Sequence, residues 1–536
     1  NSITGNVYTI TSGDTAYRFT SDGKETSNRI TISDSITTAK PICIYLKNVN
    51  IKTSEGPALR IPANLNADVH IYLEGENILE TSNRDSAALQ KENTSELIIN
   101  NVPNSAGSLI AAAINTDTST ETGVQKILAW GAGIGGGANQ KGSNITINGG
   151  SITASSTVGA GIGGGGYTGG NGEKISINGG TITAKAGTGA GIGGGELCHG
   201  SNITIKNGFV TADSAIGAGI GGGANGYGKD ITIENGSITA DSSFGAGIGG
   251  GYLKNGNNII ISNSLVSASS DRGDSIGGGD ESETSSNITI SSGSVKAAKL
   301  GCQPKNGSNQ EVYRCTIENP EKAEVTIKTK TGQEWQWNPV NHSSLDPDDT
   351  NLYVWLPKPE DASENSYYTI TLKPETSSGF RTRNYSFDTD TKTFKTWQAV
   401  NDFDFKSPEN TTYDGKPKEA SLEFKFKPTL ENDRKISLIY YKGNYSDIND
   451  NTQPLNTLPV NAGTYTVKAE IGESKSYFEH KGLVSSEWTF TIKKASVAPG
   501  ADFNKTSISV LWSCKKIRDI TNPFSADWKW DNDVNP

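Results

Sequence analysis

The sequence predicts an all-β protein: a right-handed parallel β-helix of about 28 residues per coil, followed by small β-sandwich or Ig-like domains. Three observations carry this. The string GAGIGGG recurs at a nearly fixed period, and a second motif of alternating apolar and polar residues keeps the same period. Glycine makes up 63 of the 536 residues and is concentrated in those copies, against an average near 7%. It follows no G-x-y period, which excludes collagen.

GAGIGGG stands at 131–137, 159–165, 189–195, 217–223 and 245–251, with a worn copy, DSIGGG, at 274–279. Its central isoleucines, Ile134, Ile162, Ile192, Ile220, Ile248 and Ile276, are separated by 28, 30, 28, 28 and 28 residues. Between them lie segments such as SNITINGGSITA (143–154) and KDITIENGSITA (229–240). Their period of two marks strands. Three strands fit each period: one with Ala132 and Ile134, one with Ile145 and Ile147, one with Ile152 and Ala154. Gly149–Gly150, Asn207–Gly208 and Asn235–Gly236 supply the corner between the second and third, because these residues tolerate positive φ. One such unit cannot bury its own apolar face. Stacked units can, with Ile147, Ile177, Ile205, Ile233, Ile261 and Ile290 as one internal ladder rising about 4.8 Å per coil. Upstream, ALRI (58–61) and AALQ (87–90) read as worn first strands, with DVHIYLEGENILE (68–80) and ELIINN (96–101) in the second position. The 45 residues from Leu89 to Ile134 imply an insertion near 114–130. The helix therefore spans 1–300, with regular repeats at 131–297.

Beyond residue 300 the glycine period ends. A small β module is expected over 301–398, where LYVWLPKPEDASENSYYTITL (352–372) reads as two strands around a Pro-marked turn. An Ig-type sandwich is expected over 399–495. Residues 496–536 read as the start of a further, truncated stalk segment. The chain lacks Met, so Asn1 is expected to be a processed or engineered start.

A net charge of −10 without a Lys/Arg cluster argues against nucleic acid, and no apolar run approaches a membrane span. Of five cysteines, Cys302 and Cys315 are close enough in sequence to close a short disulfide loop. No CxxC or Cys/His spacing signals a metal, and no cofactor is expected. In the acidic stretch Asp271–Glu283 calcium is expected only as an adventitious ion.

If Ala132 and Ile134 point inward, Gly131, Gly133 and Gly135 point outward and leave a bare strip. A tight turn, close packing of another segment and a flat ligand surface each explain it. The loop after GIGGG carries Tyr167, His199, Tyr227 and Tyr252, which could stack as a platform for sugar rings. Asp213 and Asp241 hold the same place in consecutive coils, about 5 Å apart, within range of a glycosidase carboxylate pair. Against that, they fall in regular coils with no neighbouring Arg or His, as a solvated polar face would.

The GAGIGGG…NITINGGSITA repeats, ADVHIYLEGENILE, QPKNG…VY and LYVWLPK resemble secreted and cell-surface proteins of Gram-positive gut bacteria that carry a carbohydrate-binding label. That resemblance covers about residues 25–372. TYDGKPKEA (412–420), IYYKGN (439–444), VNAGTYTVKAEI (460–471) and SSEWTFTIKKA (485–495) resemble the Ig-like surface repeats known as MBG or YDG domains, and WKWDNDVNP resembles the linker between them. The resemblance implies a secreted or wall-anchored adhesin: a β-helix head on a stalk, recognising a host glycan or glycoprotein such as an immunoglobulin. It transfers no catalytic motif. A β-helix glycoside hydrolase or polysaccharide lyase is the alternative, and a plain spacer the third reading.

Overall fold

A computed structural model describes residues 2–495 apart from 5, 14, 39, 115–128, 320–322, 331, 333, 338–350, 359–366, 374–380 and 426–433. The chain is built of strands wound into a solenoid of about ten coils, followed by further sheets. Sheet I holds the first strand of every coil, from Val7–Ile10 and Arg29–Ile32 through Leu59–Ile61 and Leu89–Lys91 to the two-residue strands Ile134–Gly135 and Ile276–Gly277. Sheet II runs from Tyr17–Thr20 to Ser286–Ile290, and sheet III from Asn50–Thr53 to Gly293–Ala297. Val69–Thr81 serves both, turning between them through Gly75 at φ +65°. All coil-to-coil pairs are parallel. Leu89 aligns with Leu59 and Ile134, and Leu97 with Val69 and Ile145, so the worn N-terminal coils share the frame of the regular ones.

The register follows from burial. Each regular coil turns three or four Ile and one Ala inward, with Val in place of an Ile in some coils, and Ile145, Ile147, Ile152 and their equivalents are essentially inaccessible. Burying each isoleucine contributes roughly 1.5–3 kcal/mol, and a slip by one residue would turn the whole set outward. A stack of coils leaves two open edges, and part of each is covered. Ser2–Thr4 pairs antiparallel with Val7–Ile10 at the start. At the end, Leu300 bridges to Ile276 and Lys305 to Thr289, while the Trp355 indole N–H donates to the Val295 carbonyl (3.0 Å).

Trp355 belongs to a seven-stranded sheet formed by strands between Val312 and Lys395. Its core includes Cys315, Val325, Val354, Ile370, Tyr385 and Phe394. The Cys302–Cys315 disulfide that their spacing allowed is not formed; both thiols are free. Cys302 packs against the end of the solenoid core, whereas Cys315 lies mid-strand inside the module core, where burial pushes its pKa up.

The described chain groups into two units. The first holds 1–402 with 424–435 and 471–481, and the second holds 403–423, 436–470 and 482 onward. The second carries a two-stranded sheet (Phe403–Lys406 and Ser421–Phe424) and a three-stranded one (Ile436–Lys442, Gly463–Ile471 and His480–Ile492) around Tyr440, Tyr465, Val467, Phe490 and Ile492. The stretch from 496, and residues 115–128 of the insertion, lie outside the described residues. Among those described, no helix is long and apolar enough to cross a membrane.

Candidate functional site

The bare glycine face expected from the sequence is not formed. Residues 131–137 are buried, as are the equivalent glycines of later coils. The chain doubles back at each copy: the Ala132 N–H donates to the Gly136 carbonyl (2.9 Å), and Ala160 does the same to Gly164 (2.8 Å). Gly135, Gly163, Gly193, Gly221, Gly249 and Gly277 take φ between +136° and +140°. A Cβ on Gly163 would overlap the Gly193 carbonyl of the next coil. Close packing is thus what glycine provides, and a flat ligand surface is not available there. Buried serines lock the fold-back, with Ser156, Ser214 and Ser242 each donating to a glycine carbonyl (Gly131, Gly189 and Gly217) at 2.7 Å.

Doubling back pushes the following loop outward as an edge along the solenoid. Hydrogen bonds between coils set its register: Asn139 N–H to Gly166 O, Tyr167 N–H to Glu196 O, Leu197 N–H to Ala224 O, Asn225 N–H to Tyr252 O and Leu253 N–H to Asp280 O. Asn139, Tyr167, Leu197, Asn225, Leu253 and Glu281 therefore form one column, and all take φ between +56° and +72°. Asn tolerates this left-handed region, whereas Tyr and Leu are strained in it. Even so, Tyr167, Leu197 and Leu253 are exposed (40, 42 and 36%).

The proposed aromatic residues share this edge but not one row. Tyr167 stands in the left-handed column, Tyr252 in the column before it, and His199 and Tyr227 each precede a strand-opening glycine (Gly200 and Gly228). Their ring faces are occupied by neighbours. Tyr167 stacks on Trp130 (3.4 Å between centroids), which is capped in turn by Arg84. Tyr227 lies between His199 (5.2 Å) and the Lys254 ammonium (5.1 Å), and Tyr252 meets Phe244 edge-on. A continuous stacking platform is therefore absent, because consecutive loops place their rings at different offsets. His199 Nδ1 accepts from the Tyr227 backbone N–H (3.0 Å). Burial, then the Lys229 and Lys254 charges, lowers its pKa.

On sheet III the register places Lys185, Asp213, Asp241 and Ser269 in one outward column. Asp213 is exposed and Asp241 half-buried. Burial raises the Asp241 pKa, with Asp213 and Asp271 adding to the rise, while a hydrogen bond from the Ser269 hydroxyl opposes it. In Asp271–Glu283, Asp274 meets Lys299 (3.1 Å) and the Gly278 N–H (2.9 Å), and Asp280 faces Arg272 (4.0 Å). Among the described residues no group of three or more His, Cys, Asp or Glu could hold a metal ion.

Sequence reasoning missed Leu197, Leu253 and Trp130. The signal was present: the place that holds Asn in two coils holds Leu in two others. It also missed Tyr45 and Tyr72 on sheet II, stacked at 4.6 Å and followed in their column by hydrogen-bonded Asn100, Asn148 and Asn178.

With this geometry in place, comparison with known proteins bears on the coils alone. Residues 145–166, 175–196, 203–224 and 231–252 match a family model described as a beta helix repeat. These coils are β-helix repeats. Each match runs from the second strand of one coil through the glycine fold-back of the next and ends one residue before Tyr167, Leu197, Asn225 and Leu253, so the exposed edge lies outside the matched segments. No curated protein and no solved structure matches the chain.

Proposed function

We propose that this β-helix repeat protein is an extracellular, adhesin-like binding protein that engages a host glycan or glycoprotein, an immunoglobulin among the candidates, through the edge that follows each glycine fold-back. The observation that carries this reading is the placement of Tyr167, Leu197 and Leu253, large side chains exposed at a backbone conformation that disfavours them. Folding alone selects Asn at that place, as in Asn139 and Asn225, so another demand accounts for the bulky residues. Tyr227, also exposed, adds a ring and the Lys254 charge beside them. The resemblance to Gram-positive surface proteins with MBG or YDG repeats points the same way, to a secreted or wall-anchored location.

Leu197→Asn and Leu253→Asn test it directly. Each relieves a left-handed leucine and is expected to stabilise the chain by about 1 kcal/mol, read from the urea midpoint. Capture of ligand on glycan arrays and from serum or mucus is expected to fall in the double variant. Unchanged capture, or none by the wild type, would sink the reading.

A second reading has one observation in its favour. Asp213 and Asp241 are register neighbours, about 5 Å apart, and burial raises the Asp241 pKa. A carboxylate pair with one member so raised suits a glycoside hydrolase, with Asp241 as the acid. Asp241→Asn is then expected to abolish oligosaccharide release from mucin or plant polysaccharide; no release by the wild type ends this reading.

A further inference from the structure

Eight Asn-Gly steps occur in the chain: Asn148, Asn171, Asn178, Asn207, Asn225, Asn235, Asn255 and Asn306, each followed by glycine. Such a step has its own chemistry. The glycine backbone nitrogen attacks the Asn Cγ, a C–N bond closes a five-membered succinimide, and the side-chain nitrogen leaves as ammonia, taking the displaced proton. Water then opens either C–N bond, leaving Asp or isoaspartate. The reaction needs only water, but the carboxamide must swing free and the glycine N–H must be accessible.

Hydrogen bonds oppose one or both requirements at seven of the steps. Asn148 donates to Asn100 Oδ1 and accepts from Asn178 Nδ2, both at 2.9 Å, which ties both amides into one ladder. Asn171 donates to Glu173 and accepts from the His199 N–H, while the Gly172 N–H is held by the His199 carbonyl. The Gly226 N–H donates to the Gly223 carbonyl (2.7 Å). Asn235 Oδ1 accepts from Asn263 Nδ2, and the Gly236 N–H donates to Ser264 Oγ. Asn255 donates to the Thr284 carbonyl, and the Gly256 N–H to Ser285 Oγ. Asn306 Oδ1 accepts from two backbone N–H groups, those of Ser308 and Gln310.

Asn207 differs. It is exposed at the corner between sheets II and III. Its register neighbours are Gly179, which has no side chain, and Asn235, whose amide oxygen is taken by Asn263. Among the described residues, neither its carboxamide nor the Gly208 N–H has a hydrogen-bond partner. We infer that Asn207 is a self-modifying site, the Asn-Gly step of this solenoid that converts through succinimide to aspartate and isoaspartate while the other seven are held. Isoaspartate adds one carbon to the backbone at a corner where strand alternation is set, and either product adds a negative charge.

The test is peptide mapping by mass spectrometry of the intact, folded chain aged at mildly alkaline pH, with a parallel sample unfolded in urea. In the folded chain Asn207 is expected to convert about tenfold faster than any of the other seven, the rate equivalent of one retained hydrogen bond. In urea the eight rates are expected to converge. Equal rates in the folded chain, a faster step elsewhere, or the same Asn207 preference in urea would each overturn the inference.

Discussion

Lys91 shows how a single side chain can make the fold sensitive to pH. Its ammonium lies almost wholly buried at the end of Leu89–Lys91, donating to the Asn93 carbonyl (2.7 Å). Burial lowers its pKa to about 8, against the opposing pull of Asp68 and Glu96. The unfolded chain keeps this proton up to about pH 10.4. Between those values the unfolded state binds more protons, so the Lys91 contribution to stability rises with pH and is least favourable below pH 8. Wild type is therefore expected to gain in urea midpoint relative to Lys91→Met from pH 7.5 to pH 10. A flat difference would show that the ammonium is solvated. The left-handed leucines belong to the same scale, since their strain is local and register-neighbouring Asn residues show what relieves it.

Among the elements, the two-residue strand Ile134–Gly135 and its copies are the least expected. A β-helix does not need so short a strand, but the fold-back that encloses it leaves no room for more. The chain crosses within contact of the coils on either side, and only glycine allows that approach. Two glycines separate this demand from the general cost of substituting glycine. At Gly163 a methyl meets the Gly193 carbonyl, and φ is +137°. At Gly149 nothing lies within 4 Å. Gly163→Ala is expected to cost roughly 3 kcal/mol or more, from overpacking and backbone strain together. Gly149→Ala is expected to stay within about 0.5 kcal/mol of wild type. Thermal melts of the two variants measure the contrast, and similar losses would refute the fold-back as the reason for the motif.

For the molecule as a whole, the coils form a nearly one-dimensional stack in which each touches mainly its neighbours. Removing residues 217–244 joins Ile216 to Gly245 and keeps every column in register, because Gly217 and Gly245 are equivalent. The shortened chain is expected to remain folded, with a β circular-dichroism spectrum and a lower urea midpoint. Collapse to an unfolded chain would mean that coils are not interchangeable. The ends are different in kind, since Trp355 and the strand at Ser2–Thr4 cover edges that no coil can cover for itself.

The amino-acid sequence alone carries the coil, its period and its inward residues, because a ladder of identical apolar side chains at a constant spacing has few ways to be buried. Even the worn coils at Leu59 and Leu89 were legible from that spacing. It also singled out Asp213 and Asp241 as neighbours, since register follows from period. The three-dimensional packing sets which way the glycines face, because a strand and a fold-back share the same alternation. Only it separated Tyr167, Tyr227 and Tyr252 into different columns, since loop offsets of one or two residues move a ring off its row. It parted Cys302 from Cys315 because sequence proximity says nothing about which core a thiol enters. The strained leucines were visible as letters, but their φ angles, and so their meaning as a binding edge, came from hydrogen bonds between coils.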